Sequence, residues 1–213
     1  MSGPSVRGAT AHATLRARAK SVRGATARAS TRLSAIGACA LLLSLAHDGW
    51  HLARGEWHDL LWFCNLSCPL LGLGCLLRSG PMVRVALAWL VFGTPLWLLD
   101  QVTGGEVIVT GILVHLGGPL LGALALPSFG WQRGTWRLAW LASVGVWALA
   151  RLVTPPAANV NLAFRVWPGW EGTFPHYGTY VLLLLASAAL MFFLLERVVL
   201  GSFPTITPTD ESS

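Results

Sequence analysis

Six apolar segments of similar length run through the sequence, and they limit what the chain can fold into. The segments are residues 33–53, 59–77, 82–99, 106–126, 135–153 and 179–200. Each is close to the roughly 20 residues that a helix needs to cross a hydrocarbon layer about 30 Å thick. We expect helices because lipid offers no partner to free backbone groups, and because the segments lack the alternation of barrel strands. The sequence therefore predicts an all-α, multi-pass membrane protein with six transmembrane helices.

Composition agrees with this fold class. Hydrophobic residues make up 54% of the chain and charged residues 11%, which leaves too little polar surface for a soluble domain of 213 residues. We predict a transmembrane domain over residues 33–200, preceded by a disordered basic arm (1–32) and followed by a disordered tail (201–213).

The predicted arm is repetitive, because Ser-Val-Arg-Gly-Ala-Thr-Ala occurs at residues 5–11 and again at 21–27. Such low complexity favours disorder. The arm also resembles an organelle transit peptide, but a cytoplasmic arm attracted to anionic lipid explains it more simply. It supplies most of the net charge of +6, without the aromatic interleaving or motif of a nucleic-acid-binding protein. We therefore predict membrane lipid as a partner, no nucleic acid and no cofactor, and the oligomeric state is left open.

Basic residues predict the orientation, because Lys and Arg near helix ends favour the cytoplasmic side. Arginines flank the second-to-third and fourth-to-fifth connections and precede the tail, at Arg78, Arg84, Arg133, Arg137 and Arg197. Most acidic residues fall in the other connections. We therefore predict that both termini are cytoplasmic and that the protein resides in a bacterial cytoplasmic membrane.

Polar residues inside a membrane bundle usually face its interior and often mark function. Asn65 lies about two turns into the second predicted helix, and His115 about two and a half turns into the fourth. Because these depths nearly match, we predict that Cys64, Asn65 and His115 meet in a pocket in the outer half of the bundle. Thr94, beside Pro95, lies at a similar depth and is predicted to line the same pocket. Simple helix packing is the alternative explanation for Cys64 and His115.

Two further features lie near this pocket. Gly117-Gly118-Pro119 is predicted to bend or break the fourth helix just after His115. The connection 154–178 is too rich in proline and aromatic residues for a helix, yet too apolar for a free linker. We expect it to form a lid over the outer mouth of the bundle, with Asn159 or Asn161 pointing inward. We assign a substrate-binding role to these residues and to Asn65, Thr94 and His176.

Three histidines near the predicted outer surface raise the question of a metal. His47 and His51 are four residues apart on one helix face, and His58 stands beside Asp59. Two histidines with nearby carboxylates can bind a metal ion, but the spacing supplies no third fixed ligand. Histidine beside tryptophan at a membrane interface explains the pattern better, so we predict no metal site.

Several motifs resemble those of the YwaF-like integral membrane proteins. The segment Asp59-Leu-Leu-Trp-Phe-Cys-Asn-Leu-Ser67 is similar to the helix of that family that carries a Cys-Asn pair. Asn159-Val-Asn161 and the following Trp-Pro-Gly-Trp and Pro-His-Tyr sequences resemble the family's Asn-rich loop and its proline-aromatic approach to the last helix. His115 occupies the place of the intramembrane histidine. The match spans roughly residues 59–199 and departs at Trp62-Phe63, where the family has a histidine.

The resemblance implies a six-helix fold related to intramembrane lipid acyltransferases and androgen-induced lipid hydrolases. It further implies that Cys64 is a nucleophile and His115 its base. A thiol becomes a strong nucleophile when a neighbouring base takes its proton, and Asn65 or Asn161 would donate to the developing oxyanion. The alternatives are a non-enzymatic carrier or complex subunit, and a metal or haem protein supported only by the outer histidines.

Overall fold

The structure of the protein is a computed structural model, which describes the backbone of residues 6–202 and the side chains of residues 28–202. This part of the chain is all helical and contains no strand. Its main helices are α1 (Val6–Ala53), α2 (Phe63–Leu76), α3 (Gly80–Val102), α4 (Val109–Ser128), α5 (Thr135–Val153) and α6 (Tyr177–Ser202). Short 3₁₀ turns lie in two connections, at Trp57–Leu61 and Val160–Leu162.

Five of these helices are long and apolar enough to cross a membrane. They are α3, α4, α5, α6 and the Arg28–Ala53 part of α1. Helix α2 is apolar but has 14 residues, so at 1.5 Å per residue it is only about 21 Å long. The predicted all-α class is confirmed for the described residues, and the five helices fit a multi-pass membrane protein.

The predicted and observed helix boundaries agree best where local sequence decides them. The segment predicted over residues 135–153 has the same bounds as α5. The segment predicted over 59–77 is divided instead, because Trp62 has an extended backbone between the 3₁₀ turn and α2. The disorder predicted for residues 1–32 and 201–213 stays a prediction. Residues 1–5 and 203–213 lie outside the described range, the backbone from Val6 belongs to α1, and Gly201 and Ser202 belong to α6.

Helices α1 and α2 pack antiparallel at very close range. A Cβ atom placed on Gly37 or Gly72 would lie 2.9 Å from the carbonyl oxygen of the other residue. Small residues at the contact are typical of transmembrane helices, where close packing replaces the hydrophobic effect. Helix α3 lies at the centre of the bundle, with residues 83–90 all buried, and the indole of Trp89 donates a 2.8 Å hydrogen bond to Ser143 of α5.

Large apolar side chains cover the outer faces of the bundle. Leu45 of α1 is 70% exposed and Leu182 of α6 is 72% exposed, and many other leucines and valines are similar. An apolar surface of this extent would associate non-specifically in water, whereas lipid covers it without penalty.

Charged side chains define two ends of the bundle. At the closed end, which contains Arg84, Glu196 and the connection between α4 and α5, both charges are buried. Arg84 donates a 2.7 Å hydrogen bond to Gln132, and the Glu196 carboxylate accepts hydrogen bonds from the backbone N–H groups of Gly134 and Trp136 at 3.0 and 3.1 Å. Glu196 thereby satisfies the free amides at the start of α5. The opposite end, which contains Arg54, Glu56, Asp59, Asp100 and Glu106, we call the polar end.

Candidate functional site

A cavity of about 290 Å³ lies among the helices at the polar end. All six helices contribute to its wall, together with the connection between α5 and α6. The predicted site residues on the wall are Cys64, Asn65, His115 and Asn161. The fold therefore brings to one cavity four residues that are spread over nearly 100 positions of the sequence.

His115 is held in one orientation inside a π turn of α4. This turn, Leu113–Gly117, widens the helix at the histidine, which is 2% exposed. Its Nδ1 atom lies 2.8 Å from the carbonyl oxygen of Gly111, and its ring stacks on Trp97 with centroids 4.5 Å apart and planes 10° from parallel. A carbonyl only accepts, so Nδ1 carries the proton and Nε2 has a free lone pair. Nε2 is buried without a hydrogen-bond partner among the described residues.

Thr94 supports this turn rather than the cavity wall. Its hydroxyl lies 2.7 Å from the carbonyl oxygen of Leu90 and 2.9 Å from that of His115. The Thr94 side chain therefore links α3 to the π turn, and Thr94 is not among the residues that line the cavity. The predicted break after His115 is a π turn rather than an interruption, because Gly117 and Gly118 keep helical backbone angles. π turns often occur at functional sites.

Cys64 and Asn65 lie in the first turn of α2. The Asn65 amide donates a 2.8 Å hydrogen bond to the carbonyl oxygen of Asp59. Cys64 packs against α3 at Gly93, where a Cβ atom would lie 3.5 Å from that of the cysteine. No hydrogen bond joins the thiol to His115 in the described structure, since Nδ1 bonds Gly111 and Nε2 is unpaired.

Asn161 anchors the predicted lid to α2. Its amide oxygen accepts a 3.1 Å hydrogen bond from the backbone N–H of Phe63, and its amide nitrogen donates a 2.7 Å hydrogen bond to the carbonyl oxygen of Leu61. Asn161 and Leu162 both have positive φ angles, of 52° and 57°, which non-glycine residues rarely adopt. Leu162 and Trp167 also line the cavity, so the connection covers part of it as predicted.

Besides Thr94, two further predicted substrate-binding residues lie away from the cavity wall. Asn159 is buried within its own connection, where its amide oxygen accepts hydrogen bonds from the backbone N–H groups of Phe164 and Arg165 at 3.0 and 2.9 Å. His176 is exposed just before α6. Neither residue is part of the described cavity wall.

Two histidines near the C-terminal end of α1, His47 and His51, also line the cavity. His47 and His51 share one helix face, as predicted, and their ring centroids are 4.7 Å apart. The Nδ1 atom of His47 lies 3.0 Å from the Thr110 hydroxyl. His51 instead faces the carboxylates of Glu56 and Asp59, and His58 lies outside this group.

Arg54 binds two of the carboxylates at this end. Its guanidinium hydrogen-bonds Glu56 at 2.8 Å and reaches Glu106 at 3.3 Å. The hydrogen bond from Arg54 is the main influence that lowers the pKa of Glu56 below its usual value. Glu56 is therefore ionised at neutral pH.

The sequence analysis missed Trp97, which positions the catalytic candidate His115. A signal was present, since Gly93, Trp97 and Gln101 recur every four residues on one face of α3 and all line the cavity. Tryptophan near a helix end is so common at membrane interfaces that this spacing did not stand out.

No protein family model, curated protein or solved structure matches the chain. The resemblance to the YwaF-like proteins therefore stays a prediction from short motifs, and the function has to be argued from the cavity.

Proposed function

We propose that the protein is a membrane-embedded lipid acyltransferase or hydrolase that uses Cys64 as its nucleophile and His115 as its base. One observation carries the proposal. The Nε2 atom of His115 has a free lone pair and no partner, although it is buried, and its ring is fixed by Gly111 and Trp97 on a cavity that Cys64 also lines. A buried polar atom without a partner is costly in a purely structural role.

The proposed reaction uses these two groups in turn. Nε2 of His115 takes the thiol proton of Cys64, and the sulfur attacks the carbonyl carbon of a lipid acyl ester. The C–O bond breaks, and the leaving lipid alkoxide receives the proton from His115, which leaves an acyl thioester on Cys64. Water or an acceptor hydroxyl then gives its proton to Nε2 and attacks the thioester, which releases a free acid or a new ester and restores the thiol. Thiol and ring have to approach by a side-chain movement, as is common in unliganded enzymes.

The cavity wall also suits an acyl chain. Beside the polar residues it presents apolar side chains from two facing helices, Phe92 and Leu96 of α3 and Leu184, Leu185 and Ala188 of α6. Ligand sites of this kind combine an apolar wall with a few fixed polar groups. We assign the oxyanion to the second N–H of the Asn65 amide, because the first is bonded to the Asp59 carbonyl.

Covalent labelling tests this function directly. The purified protein in detergent is mixed with a phospholipid whose acyl chain ends in an alkyne, quenched at short times and examined for label that neutral hydroxylamine releases. We expect a thioester on the wild-type protein and none on Cys64→Ala. Cys68→Ala is the matched control, because Cys68 lies one turn further along α2 and is fully buried against Gly118. Labelling that persists in Cys64→Ala would overturn the proposal. Solute transport into liposomes by a wild-type protein that the lipid probe does not label would also overturn it.

We further propose six membrane crossings with both termini in the cytoplasm of a bacterium, so that the cavity lies in the outer half of the membrane. The 3₁₀ turn Trp57–Leu61 would begin the crossing that α2 completes, because its five residues add about 10 Å at 2.0 Å per residue. In this topology the arginines near the cytoplasmic helix ends include Arg78, Arg137 and Arg197, as the charge bias requires.

Reporter fusions distinguish six crossings from five. A fluorescent protein fused after Ser213 should fluoresce and alkaline phosphatase at the same position should be inactive. The same pair fused after Thr154, beyond α5, should give the opposite result. An active phosphatase after Ser213 would place the C-terminus outside the cytoplasm and remove this topology.

A further inference from the structure

His51, Glu56 and Asp59 form a compact group of potential metal ligands between the cavity and the surface of the polar end. Nδ1 of His51 lies 3.1 Å from Oε2 of Glu56 and 3.5 Å from Oδ2 of Asp59, and the three ligand atoms all lie within 4.8 Å of one another. His51 is 7% exposed, whereas the two carboxylates are about one quarter exposed. The group is thus partly shielded and still reachable from water.

The two distances from His51 match the spacing of ligands around a metal ion. In a tetrahedral zinc site with bonds of 2.0 to 2.1 Å, neighbouring ligand atoms are about 3.3 Å apart. Both distances from His51 lie within 0.2 Å of that value. An imidazole nitrogen with two carboxylate oxygens is a ligand set that suits Zn²⁺ and its first-row neighbours, whereas Mg²⁺ and Ca²⁺ prefer oxygen alone.

Each carboxylate has its other oxygen held by a separate donor. Oε1 of Glu56 accepts a 2.8 Å hydrogen bond from Arg54, and Oδ1 of Asp59 accepts a 3.1 Å hydrogen bond from the indole of Trp62. This leaves Oε2 and Oδ2, the two atoms that face His51. Outer partners of this kind orient metal ligands in proteins, and simple ion pairs do not require them.

The local charge balance also favours a cation. The carboxylates of Glu56 and Asp59 converge on one imidazole, and Arg54 is shared between Glu56 and Glu106. Two carboxylates this close repel each other unless a positive charge lies between them. A divalent ion supplies that charge, while a protonated His51 would supply only half of it.

We propose that His51, Glu56 and Asp59 bind one divalent transition-metal ion of the zinc class. Three protein ligands leave at least one coordination position for water or a ligand oxygen, and two of the three residues line the cavity. This site is separate from the Cys64 and His115 chemistry. Cys64→Ala should bind the metal like the wild type, so the two proposals stand or fall independently.

Calorimetry with Zn²⁺ tests the site. The full chain, purified in detergent and stripped with a chelator, should bind one Zn²⁺ per chain and should not respond to Mg²⁺. Glu56→Gln and His51→Gln should each weaken binding by at least about 100-fold, more than the 10- to 100-fold expected for Trp62→Phe, which removes only an outer partner. His58→Gln is the matched control, since its ring lies 3.8 Å from Asp59 but outside the group.

Co²⁺ gives a second readout that does not depend on affinity. Bound in place of Zn²⁺, it should show visible absorption bands that His51→Gln changes and His58→Gln does not. Monodisperse elution of each variant establishes that it is folded, and the near-isosteric Glu56→Gln provides the decision if His51→Gln fails to fold. Absence of Zn²⁺ binding to the wild type would overturn the site. Equal binding by wild type, Glu56→Gln and His51→Gln would also overturn it, because the bound metal would then be adventitious metal only.

Discussion

The two ends of the bundle both bury polar groups, but they treat them differently. At the closed end Arg84 and Glu196 are nearly inaccessible, and each is fully engaged with backbone or amide partners. At the polar end several buried atoms have no partner among the residues that the structure describes. Unpaired buried side-chain atoms occur at Asp48, Gln101, His115 and Trp147 of the polar end and at Trp131 of the closed end.

This difference separates stability from chemistry. A buried polar group with hydrogen-bond partners helps to specify the fold. A buried polar group without partners costs free energy, which selection tolerates where a reaction or a ligand needs that group. Substitutions at the closed end should therefore affect unfolding, and substitutions around the cavity should affect reactivity.

The largest effect is expected from His115→Asn. Loss of a general base lowers a rate by about 10²- to 10⁴-fold, or roughly 3–5 kcal/mol of barrier. The free energy of unfolding should fall by less than the barrier rises. The substitution removes the stacking on Trp97, but Nε2 has no hydrogen-bond partner among the described residues and the asparagine amide can still donate to Gly111. The rate of lipid-probe labelling and thermal unfolding in detergent measure the two quantities. An unfolding loss as large as the rate loss would mean that His115 is structural.

The sequence predicted the bundle well because hydropathy and helix length are local properties. It did not predict the division at Trp62, which depends on Asn161 about 100 positions away. It assigned Thr94 and Asn159 to substrate binding from their polarity and position. In the structure both side chains form hydrogen bonds with backbone groups instead. A sequence does not reveal which partner a polar side chain finds.

For the candidate site, matched depth in two helices grouped Cys64, Asn65 and His115, which all line one cavity, and their roles there stay a prediction. The grouping of His51 with Glu56 escaped prediction, because the chain turns back at Gly55 with φ of 75° and brings a loop carboxylate onto the last turn of α1. Helical spacing pairs His51 with His47, whose ring does contact it, but spacing alone does not reveal the carboxylate that the loop adds.

A smaller effect, on stability alone, is expected from Glu196→Ala. The substitution leaves the backbone amides of Gly134 and Trp136 without acceptors in a buried place, which should destabilise the protein by about 2–4 kcal/mol. Glu196→Gln retains one acceptor oxygen and should lose less. Thermal unfolding in detergent measures the change, while the labelling rate of Cys64 in the folded fraction should stay at the wild-type value. A slower labelling rate in that fraction would show that the two ends are coupled.

The smallest effect is expected from Asn161→Ala, which should affect both the free energy of unfolding and the reactivity of Cys64. Loss of its two hydrogen bonds should reduce stability by about 1–2 kcal/mol, and labelling of Cys64 should slow because the first turn of α2 loses its cap. Asn161→Asp keeps the acceptor for Phe63 and should lie between the alanine variant and the wild type. Unchanged labelling in Asn161→Ala would separate the cap from the reactivity of the thiol.

The cap formed by Asn161 has a consequence for how a lipid reaches the cavity. Lifting the connection away from the bundle would break both hydrogen bonds to Leu61 and Phe63 and release the turn that carries Cys64. A molecule arriving from the water side would thus meet a loosened thiol. A lipid that entered sideways from the bilayer would leave both hydrogen bonds intact and would meet the thiol still held in place. Under the proposed function, the two hydrogen bonds of Asn161 therefore favour entry of the lipid from the bilayer over entry from water.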